Sequence, residues 1–258
     1  MGASVSPTVG PIVQQQCAVA AISARTQGAA TSLVGIAAIE DFQAIIVRHD
    51  SALRRARDLR DRRIGLPAAD LQSGAPRVHA LRATTAALES EGLYHRHVQW
   101  LDLPRAEAVS LMLPGAYCAE IAALQNGSAD AVYVRGPAGL EAARAAGARV
   151  LFDAGAHKDR WIRAHTALLQ AMTVSEALLR AHPDVVAQAL LERGPLLPAH
   201  MSLDEAALNA LDSLKAFMVR WAFIEGDFVL DSWIDVHAAP KPASRPPRGQ
   251  AQVLLRSA

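Results

Sequence analysis

Cysteine is almost absent from this chain of 258 residues. Cys17 and Cys118 are the only two, with no CxxC pair and no histidine at metal-ligand spacing, which excludes a disulfide framework and a structural zinc site. A surplus of either charge is also lacking: 26 Lys+Arg against 25 Asp+Glu leave a formal net charge of +1. Phosphate neutralisation needs a clustered cationic excess, so a nucleic-acid binder is excluded. Aromatic residues are sparse at 5%, and the apolar share leans on alanine, which favours helix and gives slim packing faces. No apolar run reaches the ~18 residues that span a bilayer, so membrane insertion is not expected. The first twenty residues lack the basic start and continuous apolar core of a secretory signal. The chain is therefore expected to be cytoplasmic as written, and periplasmic only if an export signal lies upstream. No P-loop, GxGxxG or GxSxG elbow occurs, so no nucleotide cofactor or serine hydrolase is indicated. No cofactor of any other kind is expected. The 51% hydrophobic and 20% charged shares place the chain among globular rather than disordered sequences.

Short apolar runs with β-branched residues, SLVGIAAI at 32–39 and FQAIIVR at 42–48, read as buried strands separated by Glu40-Asp41. An Arg-rich polar stretch from Ser51 to Arg63 leads to a short strand, Ile64-Gly65-Leu66, ended by Pro67. Gly74 and Pro76 open a helix that stops near Gly92, and VQWLDL at 98–103 is the next strand. Pro104 starts a helical stretch, and a second helix runs from Ala116 to Leu124 before the Asn126-Gly127 turn. Strands at 129–134 and 148–153 flank a helix at 139–147. This alternation predicts a parallel α/β architecture. After a strand near 166–173, helices dominate to Asp235, one opened by the capping sequence Ser202-Leu203-Asp204-Glu205. The Pro-rich basic tail, AAPKPASRPPRG at 238–249, reads as a disordered end or linker.

The order of segments resembles the type 2 periplasmic-binding-protein superfamily, in its nitrate, sulfonate, taurine and thiamine-pyrimidine (SsuA/THI5-like) branch. The residues that carry the likeness are Asp58-Leu59-Arg60-Asp61-Arg62-Arg63-Ile64-Gly65-Leu66-Pro67, Glu91-Gly92-Leu93, Leu103-Pro104 with Glu107-Ala108, Leu124 through Ala131, and Ala181-His182-Pro183-Asp184-Val185-Val186. Within that superfamily the chain is also similar to the desulfinases of aromatic sulfinates, at Leu33-Val34-Gly35-Ile36, Val47 to Ser51, Asp130 to Tyr133 and Phe228 to Trp233. The resemblance implies an α/β fold of two lobes with an incomplete first lobe and a helical C-terminal part. Residues 1–50 would be the first-lobe remnant, 51–160 the second lobe and 161–237 the return to the first, followed by a tail at 238–258. It implies capture of a small organic anion in the cleft, and an ABC-transporter permease as partner. Desulfinase chemistry needs a cysteine, a histidine and an arginine in the first lobe, upstream of the matching segments. Cys17 stands outside that place with no base beside it in sequence, and no arginine precedes Arg25, so the likeness carries the fold and withholds the activity.

Candidate ligand contacts follow from the cleft such a fold builds. Ser73, after Gln72, could give its hydroxyl to an anion and Gly74 would let backbone approach closely, beside the plain reading of an N-cap. Arg77 or His79 could add positive charge there, or be solvated helix residues. Tyr133 and Arg135 end a strand before Gly136-Pro137, a turn that would aim Arg135 at a sulfonate or carboxylate. Asp153, His157, Trp161 and His165 lie in the return crossing, where Trp161 could stack on an aromatic ligand or pack the hinge. His95 and His97 imitate a metal pair on one strand face, but no third ligand is near. Cys118 reads as a small buried hydrophobe. The leading expectation is a binding protein for a small organic anion. The alternatives are a desulfinase-type enzyme and a truncated, non-functional family member.

Overall fold

The computed structural model describes residues 12–68, 74–104, 115–193 and 201–235. Two sheets organise them. The first contains β1 (Val13–Cys17), β2 (Thr31–Ile39) and β8 (Leu168–Ser175), with β8 in the middle and antiparallel to both neighbours. Helix α1 (Ala18–Thr26) follows β1 directly. The second sheet has the order β5-β4-β6-β3-β7, from β3 (Gln43–Val47), β4 (Arg63–Leu66), β5 (Gln99–Asp102), β6 (Ala131–Arg135) and β7 (Arg149–Asp153). Its helices are α2 (Ala75–Glu89), α3 (Cys118–Gln125) and α4 (Gly136–Ala145). The chain returns through α5 (Arg160–Thr166) and continues into α6 (Glu176–Ala181), α7 (Pro183–Arg193) and α8 (Glu205–Arg220).

The expected parallel architecture is corrected in part. β4 runs parallel to β5 and β6, but β3 is antiparallel to β6 and β7, so both sheets contain antiparallel pairs. The reason is the crossing at Glu40–Phe42: β2 and β3 are consecutive in sequence but lie in different sheets, so their order does not fix their relative direction. Arg135 also proves to be the N-cap of α4, which begins at Gly136, ahead of the expected start at 139. Pro137 costs nothing there, since the first helical turn has no intrahelical partner for its N–H. The helical stretch expected from Pro104 and the tail at 238–249 lie outside the described residues.

Sheet faces explain the apolar runs. In β3 every residue is buried: Ala44 and Ile46 join Val132, Val134 and Leu124 on the α3–α4 side, while Ile45 and Val47 join Tyr133 and Phe152 on the α2 side. A strand covered on both faces needs no polar alternation. In β2 a register shift between Leu33 and Gly35 puts Leu33 and Ile36 in one cluster and Val34 and Ala37 in another. The second of these clusters lies under Val186 and Leu190 of α7.

Helix α2 is the central element. Each residue from Val78 to Leu88 is buried, because α2 packs on the second sheet and is also covered by α1 and α5. Its small residues permit this close approach from all sides. The Thr84 and Thr85 hydroxyls donate to the carbonyls of Ala80 and Leu81 at 2.8 and 2.9 Å, so neither enters the core unsatisfied.

The two crossings lie against one another. Ala154 N donates to Gln43 O at 2.8 Å, and a Cβ placed on Gly155 would stand 2.6 Å from the Asp41 carbonyl oxygen. Backbone cannot swing aside as a side chain can. Gly155→Ala is therefore expected to destabilise the protein by about 1–3 kcal/mol, the range for overpacking, read as a lower urea midpoint at unchanged m-value. An unchanged midpoint would show that the crossings can separate freely.

Candidate anion site between the lobes

β1 ends at Cys17, which is the N-cap of α1. Opposite it, α2 presents His79, and the Cys17 Sγ lies 3.4 Å from His79 Nε2. The thiol is half-buried and the imidazole is 3% exposed. Burial, reinforced by the charges of Arg135 and Arg82, holds the His79 pKa down to about 3, so its ring is neutral at ordinary pH. The neutral ring accepts the thiol's hydrogen bond at Nε2 when its proton is on Nδ1, and donates to the sulfur when its proton is on Nε2.

One turn further along α2 stands Arg82. It is 1% exposed, and its Nη1 donates to Ala167 O at 3.3 Å, while Nε and Nη2 have no hydrogen-bond partner among the described residues. Burial lowers its pKa to about 10, which leaves it charged at neutral pH. A buried guanidinium with two idle donors and no carboxylate is costly unless something anionic completes it. Ala167, which holds Nη1, also lines a cavity of about 750 Å3 between the crossings, bounded by Gln43, Asp153, Arg160 and Arg163 among others.

The expected site residues divide. Ser73 and Gln72 lie outside the described residues. Gly74 is the left-handed N-cap of α2 at φ +58°. His79 faces Cys17, and its neutrality corrects the expectation that it adds positive charge. Arg77 instead pairs with Asp102 at 2.6 Å and donates to Pro67 O. Tyr133 is buried, and its hydroxyl donates to Gln43 Oε1 at 3.0 Å. Arg135 is half-buried, its backbone gripped by the Tyr117 hydroxyl, and its charge reaches His79. Trp161 is 52% exposed and stacks on His165, with ring centroids 4.9 Å apart and planes 7° apart. Burial and then Arg82 depress the His165 pKa to about 4. Arg82, which the sequence did not single out, acts on both His79 and His165, and Arg135 acts on His79.

Other expectations change as well. Cys17, read as having no base beside it, has His79 in contact. His95 and His97 sit in a 3-10 turn and not on a strand; His97 Nδ1 accepts from Tyr94 N, and His95 packs edge-on to Trp221. Asp153 Oδ1 accepts from Ala156 N, and His157 stacks on Phe152. Cys118 is buried in α3. Among the described residues no group of three or more His, Cys, Asp or Glu could hold a metal, and no helix is long and apolar enough to cross a membrane.

Two sheets joined by paired crossings make an α/β fold that matches periplasmic-binding-protein-like structures. Solved structures agree. The chain is similar to the desulfurization enzyme DszB, at 21% identity and TM-score 0.63 over 88% of this chain and 83% of that one. A DszB mutant in complex with biphenyl-2-sulfinic acid matches at 23% identity and TM-score 0.61, over 81% and 78%. The periplasmic aliphatic sulphonate binding protein SsuA from Escherichia coli matches at 16% identity and TM-score 0.57, over 86% and 79%. At these identities the likeness is one of fold. No family model and no curated protein sequence matches the chain.

Proposed function

We propose that the protein captures a small organic anion of the sulfonate or sulfinate type between its two lobes, with Arg82 as the anchor. The observation that carries this is the buried guanidinium whose Nε and Nη2 have no partner. Two oxygens of a sulfonate or sulfinate match a guanidinium's parallel donors. His79 and His165 are neutral, so the positive charge at the site comes from Arg82 and from Arg135, whose charge also reaches His79. Trp161, exposed and stacked on His165, gives an aromatic ligand a face to lie on. Because the idle nitrogens are sealed from solvent, entry needs the lobes to part about the crossings. In a transport system the loaded protein would deliver its anion to a membrane permease. Thermal shift with methanesulfonate, taurine, nitrate and benzenesulfinate tests the reading. A ligand at 100 times its Kd should add ~2.7 kcal/mol. No stabilisation by any of them at millimolar concentration would sink it.

A second reading, an enzyme cleaving the carbon–sulfur bond of an aromatic sulfinate, is favoured by the 3.4 Å contact between Cys17 and His79. Cys17 would supply the nucleophile, with the His79 ring in contact to orient its thiol. Incubation with biphenyl-2-sulfinate should then release sulfite, and Cys17→Ser should abolish the release. Sulfite production that survives this substitution removes Cys17 from the chemistry.

A further inference from the structure

We propose that Cys17 is a peroxide-oxidation site whose sulfinate product occupies the anion site from within, as a built-in competitor of the ligand. Three observations meet at this thiol. It is half-buried at the N-cap of α1, its Sγ touches His79 Nε2 at 3.4 Å, and the buried Arg82, with two idle guanidinium nitrogens, lies one turn along the helix that carries His79. The thiol thus stands at a helix N-terminus, in contact with a ring that feels the Arg82 charge.

The chemistry needs hydrogen peroxide and nothing else. In the first step the Cys17 sulfur attacks one peroxide oxygen, the O–O bond breaks, and the departing oxygen leaves as water with the thiol proton, giving the sulfenic acid. A second peroxide repeats the two-electron oxidation and gives the sulfinic acid, which ionises. Sulfur loses two electrons in each step and each peroxide is reduced to water. The new sulfinate has the same head group as the anions proposed above. Its negative charge adjoins the neutral His79 ring and comes within the field that Arg82 already exerts on that ring. The oxidised side chain thereby supplies the counter-charge that the buried guanidinium lacks in the reduced protein.

The functional consequence rests on the anion-capture reading, whereas the oxidation chemistry does not. Cys118, buried in α3, is the internal control. Limited peroxide treatment of the full chain followed by peptide mass spectrometry should find two added oxygen atoms on the Cys17 peptide before any on the Cys118 peptide. The melting temperature of the oxidised protein should rise, the rise should vanish in Arg82→Met, and Cys17→Ser should be unaffected by peroxide. Cys17→Asp, which places a carboxylate at the same position, should reproduce the rise without oxidant. Binding of benzenesulfinate should weaken by roughly tenfold or more on oxidation. The proposal is overturned if Cys118 is oxidised first, if Cys17 sulfinate leaves both melting temperature and benzenesulfinate affinity unchanged, or if the rise persists in Arg82→Met. Should the reduced protein bind none of the probe anions, the anion-capture reading fails alone, and the mass and melting results still decide the fate of Cys17.

Discussion

Lowering the pH from 7.5 to 4.5 is expected to cost on the order of 3 kcal/mol of folding stability through His79, with a smaller addition from the partly exposed His165. His79 is buried and His165 half-buried within the field of Arg82, and their pKa values fall from 6.5 to about 3 and about 4. In the unfolded chain both protonate as the pH drops through 6.5, while in the folded protein they remain neutral until pH 3 to 4. Across that window the unfolded state binds more protons, so stability falls with falling pH and is fully present above 6.5. The carboxylates held below their usual range by arginine, lysine or backbone donors, among them Asp58, Asp130 and Asp227, lose their contribution only below pH 3.8. Between pH 6.5 and 4.5 the imidazoles therefore set the direction of the change, against a partial offset from Glu120. Glu120 acts in the opposite sense, since burial raises its pKa and favours the folded state in acid. Urea unfolding at several pH values should show a slope near 1.4 kcal/mol per pH unit for each buried imidazole, reduced by that amount in His79→Gln. A flat profile between pH 6.5 and 4.5 would mean that water reaches these rings in the folded protein.

Much of the fold is legible in local patterns. The continuous apolar run of β3, the Gly74-Pro76 opening of α2 and the Asp204 cap of α8, whose carboxylate accepts from Ala207 N, all follow from residue type and spacing. β1 is different, since VQQQC has only one buried residue ahead of its cysteine and pairs with β8 from far along the chain. Nothing local marks it. Strand direction was equally hidden, because it depends on which sheet each strand joins. The site was half legible. His79, Arg135 and His165 belong to loop-adjacent segments that the fold brings towards a cleft, and sequence order can suggest them. Arg82 sits in the alanine- and threonine-rich run ALRATTAAL, where an arginine reads as the solvated position of an amphipathic helix. One signal was available: the residues flanking it are small or apolar on every side, so α2 has no polar face for Arg82 to occupy. The contact of Cys17 with His79 had no such signal, since it joins a strand of the three-stranded sheet to a helix packed on the five-stranded one.

Replacing Arg82 with methionine should raise stability and abolish function together. A charge removed from water without a carboxylate partner destabilises the ligand-free protein, and exchanging a buried charge for an apolar side chain of similar length typically stabilises by about 1–4 kcal/mol. Methionine fits an irregular core gap, and the bond lost to Ala167 O is a long one at 3.3 Å. Arg82→Met should therefore unfold at a higher urea concentration than the wild type. Its affinity for benzenesulfinate or methanesulfonate should fall by roughly a hundredfold, as expected for truncating one partner of a buried charged pair. It should also raise the His165 and His79 pKa values in part only, because burial, the larger cause for both rings, remains. The two main effects have opposite signs, and that is what makes the experiment decisive. An arginine kept for packing would, on replacement, lower stability and leave ligand affinity to follow it. An arginine kept for an anion leaves the empty protein less stable than it could be, and only the ligand repays the difference. A lower urea midpoint combined with unchanged sulfonate affinity would assign Arg82 to the core and move the search for the ligand's counter-charge to Arg135.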